Sequence, residues 1–332
     1  MIEKKFNNKI INMVKAVVIP VTIFVIFGIA TGGRTATMQM FFTTLRQAVI
    51  PIIICLGIIL NMSVGMVNFS AGGMMLCAGI IGGNIALITN TGIAGIVVFS
   101  MIITFFEGAL TGWLYKKLHV PCIVLTIGTM LVWEALPKVV FKSGINLTAK
   151  YTLLAKAPYC FILLGIVMVF FYIVYNKTAF GHNLRAIGAN QSIANSVGLD
   201  SDKIKFQAFV LSGVFLGVAA FLFISSKGEV RNVSSMSSMT IMMDGFMGMF
   251  LAMFLSKYCD MTIAVIIGTF SMKMLSNGFV AAGLSATVRD LAQGLLLLVV
   301  LVISANAGLF ERIKRNKEFA ENANKEYIAV RQ

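Results

Sequence analysis

An all-α polytopic membrane protein with about ten transmembrane helices is the fold class that this sequence predicts. Three observations carry the prediction. Hydrophobic residues make up 58% of the 332 residues, charged residues only 12%, and the mean hydropathy is +0.90. A soluble chain of this length could not cover such a core with so few charges. The apolar residues gather into long runs separated by short polar intervals, and lysines and arginines collect at the ends of those runs.

The runs cover 16–31, 44–66, 71–90, 92–114, 120–140, 158–175, 206–225, 240–256, 261–281 and 289–304. A helix needs about 20 residues to cross roughly 30 Å of hydrocarbon, so several runs lie at or below span length. The opening segment MIEKKFNNKIINMVK is similar to the basic start of a signal peptide. No small-residue cleavage site closes the run after it, so the first run is expected to stay as a helix. Between the second and third runs, Gly65 to Gly73 reads GMVNFSAGG. Irregular backbone of this kind is tolerated at membrane depth where it is buried or lines a cavity. The stretch predicts a break between two spans, with a plain cytoplasmic turn as the alternative.

Glycines four apart recur at Gly28/Gly32, Gly79/Gly83, Gly108/Gly112 and Gly213/Gly217. Such spacing lets helix backbones approach where lipid offers no hydrophobic drive between helices. Ionisable residues inside runs are Glu107, Glu134, Asp244 and Lys273. Each is costly in lipid, so each is expected to face the bundle interior or a path for a polar solute. Packing partners inside the bundle and path-lining groups are both open readings, and Lys273 is expected to snorkel toward the headgroups. Arg289 and Asp290 at the last run are expected to neutralise each other. A transmembrane domain over 1–310 and a charged cytoplasmic tail over 311–332 follow from this layout.

Charge sets the orientation. With both termini in the cytoplasm, seventeen lysines and arginines fall inside, including Lys116, Lys117, Lys177, Arg185, Lys203, Lys205 and Lys257. Eight fall outside, among them Lys138, Lys142, Lys150, Lys156, Lys227 and Arg231. Positive charge accumulates on the cytoplasmic side, so the termini are expected there.

The net charge of +14 does not point to nucleic acid, because the basic residues flank apolar runs and are not interleaved with aromatics on one soluble face. The five cysteines are scattered without a CxxC, and His119 and His182 stand far apart, so neither a disulfide framework nor a metal site is expected. The methionines at 236–253 lack interleaved Cys or His, which argues against a soft-metal path. No GxxxxGK[ST], HExxH or GxSxG occurs, so neither ATP binding through a phosphate loop nor enzymatic catalysis is expected of the chain.

One polar interval stands out. Lys177 to Lys205 reads KTAFGHNLRAIGANQSIANSVGLDSDKIK. Asn190 is placed to cap a short helix whose face carries Ile193, Ala194 and Val197, Gly198 to end it, and Asp200–Asp202 to start the next. A small, partly apolar helix offered on one side of a membrane is a docking element in design. Gly188 and Ala194 are small enough there for another subunit to come close.

Three blocks carry a family resemblance. GMVNFSAGG at 65–73 is similar to GGIDLSVGS, and VPCIVLTIGTM at 120–130 to VPxFIxTLGTM, with Phe141-Lys-Ser-Gly144 following. TAFGHNLRAIGAN at 178–190, with Ala194 and Gly198-Leu199, resembles TxFGRxxxAIGxNxxAAxxxGI. The chain thereby resembles the permease subunit of bacterial ABC importers for ribose, xylose, galactose and related solutes, within the branched-chain amino acid permease superfamily. It departs from that pattern at Asn68, where the family has Asp, and at 244–260, where a GGTSxxGGxG loop is replaced.

The resemblance implies a type II importer-like permease in the bacterial inner membrane. It implies a cytoplasmic ABC ATPase holding ATP-Mg, an extracytoplasmic solute-binding protein and a second permease, either another copy or a related chain. No cofactor is implied in this chain. By the match, Phe180, Gly181, Arg185, Gly188, Asn190, Ala194 and Gly198 couple to the ATPase. Asn68, Ser70, Glu107, Glu134, Asp244 and Asn277 are the candidates for the translocation path of a small polar solute, expected to be a monosaccharide. An ion-coupled secondary transporter using Glu107, Glu134 or Asp244 is the alternative.

Overall fold

The computed structural model describes residues 37–285 without interruption, together with 18, 20–29, 32–33, 287–296, 298–299 and 302. By chain contacts the protein divides into two units, one up to Gly283 and one from Leu284. In the second, residues 287–296 are helical and Arg289 Nε meets Asp290 Oδ1 at 3.2 Å, the neutralisation expected of that pair. The tail at 311–332, and Gly28/Gly32 as a packing pair, lie outside what the structure describes in full.

Among the described residues of the first unit the regular structure is helical apart from two two-residue strands. Its helices are α1 (Pro20–Ile29), α2 (Met38–Met62), α3 (Ala71–Ile88), α4 (Gly92–Leu118), α5 (Cys122–Val140) and α6 (Tyr159–Lys177). They continue with α7 (Ala179–Ala189), α8 (Gln191–Ser196), α9 (Ser201–Lys227), α10 (Ser238–Leu255) and α11 (Met261–Ala281). Among the described residues, eight are long and apolar enough to cross a membrane: α2 to α6 and α9 to α11. They correspond to the second to ninth apolar runs. The chain is an all-α polytopic membrane protein.

Burial divides the spans into central and peripheral. α9 packs on α4, α2 and α3, and hardly any of it is open. α6 buries a single stripe, Cys160, Leu164, Val167, Phe171 and Tyr175, at the spacing of one helix face. Its other faces expose Ile162, Ile166, Val169 and Ile173, as lipid requires.

The glycine pairs explain how α9 sits so close. A Cβ at Gly108 would stand 2.6 Å from the Phe209 carbonyl oxygen, and one at Gly112 would stand 3.0 Å from Phe209 Cβ. From the other side, Gly213 meets the Thr104 carbonyl and Gly217 meets Met101. Both helices give up side chains at the crossing, so backbone meets backbone. Gly79 and Gly83 of α3 instead make room for side chains, Ile224 of α9 against both and Ile145 against Gly83.

Each end of the bundle is tied across distant segments. At one, β1 (Ile145–Asn146) pairs antiparallel with β2 (Glu229–Val230), and Asn84 Nδ2 donates to the Gly144 carbonyl at 3.0 Å. At the other, Ser63 Oγ and Tyr175 Oη lie 3.3 Å apart, and α7 packs against Ser63 through Gly188. Lys205 sits 5.7 Å from the Tyr115 ring, which brings the end of α4 to the start of α9.

Candidate functional site

The polar interval folds as two helices rather than one. Thr178 caps α7 by accepting the Gly181 N–H at 3.3 Å, Asn190 caps α8 by accepting the Ile193 N–H at 3.1 Å, and Asp200 caps α9 by accepting the Lys203 N–H at 3.0 Å. Gly198 adopts φ +89° and closes α8, with Leu199 N donating to the Ala194 carbonyl at 3.1 Å. The caps of α8 and α9 were legible in the sequence. α7 carried a signal of its own, since Phe180, Leu184 and Ile187 recur at the spacing of one helix face behind the Thr178 cap, although no helix was expected there.

α7 lies on its own chain. Leu184 and Ile187 are buried beneath it, and Gly181 packs on the Val174 and Tyr175 carbonyls. A Cβ at Gly188 would collide with the Ser63 carbonyl, whose carbon stands 3.0 Å away. Ala194 is buried. Gly188 therefore lets α7 approach Ser63 of its own chain while staying exposed on its outer side, and Ala194 is covered within the chain. Arg185 is exposed, with its guanidinium 5.3 Å from the Tyr175 ring and Nη1 donating to Asn176 Oδ1 at 3.4 Å. Phe180 is half-buried, and Asn190 and Gly198 are exposed.

Among the polar residues that α8 and its end expose, two apolar ones stand out. Ile193 is 62% exposed and Val197 78% exposed, four residues apart on one face. Neither contributes to the core, and both stand at the end of the bundle that also holds Ser63 and Tyr175. The site is centred on these two residues, which the resemblance did not pick out.

The candidates for a path are distributed differently. The irregular stretch between α2 and α3 spans 63–70, and Thr126 Oγ1 donates to the Val67 carbonyl at 3.3 Å. Gly73 lies against Met130, near the middle of α5, so α3 begins inside the layer rather than at its surface. Asn68 Oδ1 accepts from Ser70 N at 3.0 Å and Ser70 Oγ at 2.6 Å, and both residues are fully buried. This is an Asx-turn leading into the Ser70 N-cap of α3, and Asn68 is here a neutral turn residue where the family pattern has a carboxylate.

Glu134 does the equivalent for α10. Its Oε1 accepts from Ser238 N at 2.7 Å and its Oε2 from Met236 N at 3.0 Å. A carboxylate on one helix therefore caps the positive end of another. Gly72 packs on Ser238, and the Phe69 and Phe246 rings stack at 5.4 Å and 8°, so the starts of α3 and α10 meet. The descent of 231–237 into the layer had no sequence signal. It uses left-handed backbone at Ser235 (φ 62°) and Met236 (φ 64°) without a glycine.

Glu107 is buried between α4 and α3, with the Cys77 side chain against it. Asn277 Nδ2 donates to Thr44 Oγ1 at 3.0 Å and Gln47 Oε1 at 2.9 Å, which ties α11 to α2. Asp244 behaves otherwise. Its Oδ2 accepts from Lys273 Nζ at 2.7 Å, and the two side chains keep 36% and 19% of their exposure. Lys273 does not snorkel to the headgroups as expected. A carboxylate one helix away satisfies its charge at shorter range. Of the six path candidates, Asp244 alone combines charge with an open side chain.

A family model described as "Branched-chain amino acid transport system / permease component" matches residues 40–301. The autoinducer 2 import system permease protein LsrC of Yersinia pestis (strain Pestoides F) is 25% identical over 313 residues, covering 90% of this chain and 86% of that protein. Proteins of the same name from Yersinia pseudotuberculosis serotype O:1b (strain IP 31758) and serotype O:3 (strain YPIII) match at the same identity and coverage. No solved structure matches the chain.

Proposed function

We propose that this chain, which belongs to the branched-chain amino acid transport system permease family, is the membrane-spanning subunit of an ATP-driven ABC importer. It is a transport component and not an enzyme; the ATP-Mg is bound and hydrolysed on a separate cytoplasmic ABC ATPase. An extracytoplasmic solute-binding protein delivers a small polar solute, and a second permease, identical or related, completes the path. The relatives named for autoinducer 2 import support a sugar-like cargo, a monosaccharide or a molecule of that size and polarity. The chain sits in the bacterial inner membrane with the α7–α8 end and both termini in the cytoplasm. Residues 1–310 form the permease domain, with 177–205 as its coupling loop, and 311–332 form a cytoplasmic tail.

The apolar pair of Ile193, on the capped helix α8, and Val197, just past its last residue, left uncovered by the described chain, carries this reading. An exposed apolar knob on a fixed helix is how a hydrophobic groove in another protein is engaged. Phe180, Gly181, Arg185, Gly188, Asn190, Ala194 and Gly198 then shape and support the knob, and the contact itself falls on its tip. The path reading narrows in the same way. Asn68, Ser70, Glu134 and Asn277 hold helix starts and neighbours in place around it, Glu107 is buried between α3 and α4, and Asp244 faces it.

The double variant Ile193→Asp/Val197→Asp tests the reading. It is expected to insert and purify as a monodisperse protein yet lose co-purification with the ATPase. A complex that survives both substitutions overturns the assignment. Uptake that collapses with a protonophore and ignores ATP depletion would favour the ion-coupled alternative.

A further inference from the structure

Asp244 and Lys273 form an ion pair within two spanning helices, and the pair is not closed. Lys273 Nζ engages one carboxylate oxygen at 2.7 Å, which leaves Asp244 Oδ1 as an acceptor and two ammonium N–H groups as donors. Charges facing hydrocarbon are buried or drawn to the headgroups. Here the carboxylate keeps 36% of its exposure and the ammonium 19%, seven residues into α10 and thirteen into α11. Such a pair persists only where water or another polar partner takes up the remaining valences.

The surroundings on α10 have the same character. Thr240 is exposed one turn before Asp244, and Met243 and Met247 flank it half-buried. Methionine adapts its shape without adding charge, so the strip offers one polar contact on a compliant apolar bed.

We infer that Asp244 and Lys273 together form a contact for vicinal hydroxyl groups in the translocation path. One hydroxyl donates to Asp244 Oδ1 while its neighbour accepts from Lys273 Nζ. The 2.7 Å contact between Nζ and Oδ2 holds the remaining acceptor, Oδ1, beside the remaining ammonium donors, the complementary pair that adjacent hydroxyls on a small polyol or sugar can use together, whereas an isolated anion or cation would meet its own charge in one partner of the pair. Lys273 thereby becomes a specificity residue. The inference rests on the reading of the chain as a solute-translocating permease.

Thr240→Cys serves as the reporter, in membrane vesicles from cells making the full chain, with its native thiols as baseline. A membrane-impermeant methanethiosulfonate is expected to label Cys at 240 but not the lipid-facing control Ile166→Cys. cis-1,2-Cyclopentanediol is expected to slow labelling at 240 several-fold, and cyclopentanol is not. In the Asp244→Leu/Lys273→Met background, where the charges are removed together, labelling should persist and diol protection should vanish. No labelling at 240, equal protection by the mono-alcohol, or protection that survives loss of both charges each overturns the inference. ATPase association is read separately, so these outcomes leave the importer reading where it stands.

Discussion

Gly188 carries more structural consequence than its size implies. Its missing Cβ is what lets α7 lie on the Ser63 carbonyl at the end of α2, so the coupling segment and the first central helix share a contact. Gly188→Ala is expected to destabilise the protein by about 1–3 kcal/mol, because a backbone carbonyl cannot move aside as a side chain can. Gly165→Ala on α6 meets no atom within 4 Å and is expected to be neutral or slightly stabilising through the helix propensity of alanine. Thermal denaturation of the two variants in the same detergent separates them. That Gly188 and Ala194 matter was readable from the segment; what they touch was not, since a small residue looks the same whether it admits a neighbour from its own chain or from another.

At the scale of the element, helix starts decide the architecture. Asn190 and Asp200 announce α8 and α9 because the capping group is local, three residues from the N–H it accepts. α10 starts on a group 104 positions away in sequence, Glu134 on α5. No local pattern can encode that, and the apolar run at 240–256 hides the descent that precedes it. Glu134→Ala is expected to cost about 3 kcal/mol by stripping two charge-assisted hydrogen bonds from a buried helix end. Glu134→Gln, which keeps an acceptor, should lose less. Melting temperatures of the assembled protein, with Asp244→Asn as a comparison at an open site, measure the difference. The second run shows the same limit from another side. It was read as 44–66, whereas α2 covers Met38–Met62, since the helix begins at the Thr37 cap and apolar character outlasts helical backbone at 63–66.

At the scale of the molecule, the two ends of the bundle separate by what they bond. The end holding 178–200 also holds Ser63 and Tyr175, and the end holding 141–147 also holds 228–230. Cysteines at His119 and Val197 are expected to react with an impermeant reagent from one face of the membrane only, and cysteines at Lys142 and Arg231 from the other. Labelling of right-side-out and inverted vesicles checks this, and reaction of Val197→Cys from the outside would reverse the proposed orientation. Composition, run length and basic flanks by themselves determined that the chain is a helical membrane protein, and the motif at 178–190 its family, because these signals are additive along the chain. The tertiary structure alone decided that the starts of α3 and α10 meet within the layer, that Glu134 is spent on a helix end, and that Asp244 stays open beside Lys273. Those depend on which helices stand side by side, and a charge reads identically in sequence whether its partner lies across a helix gap or nowhere.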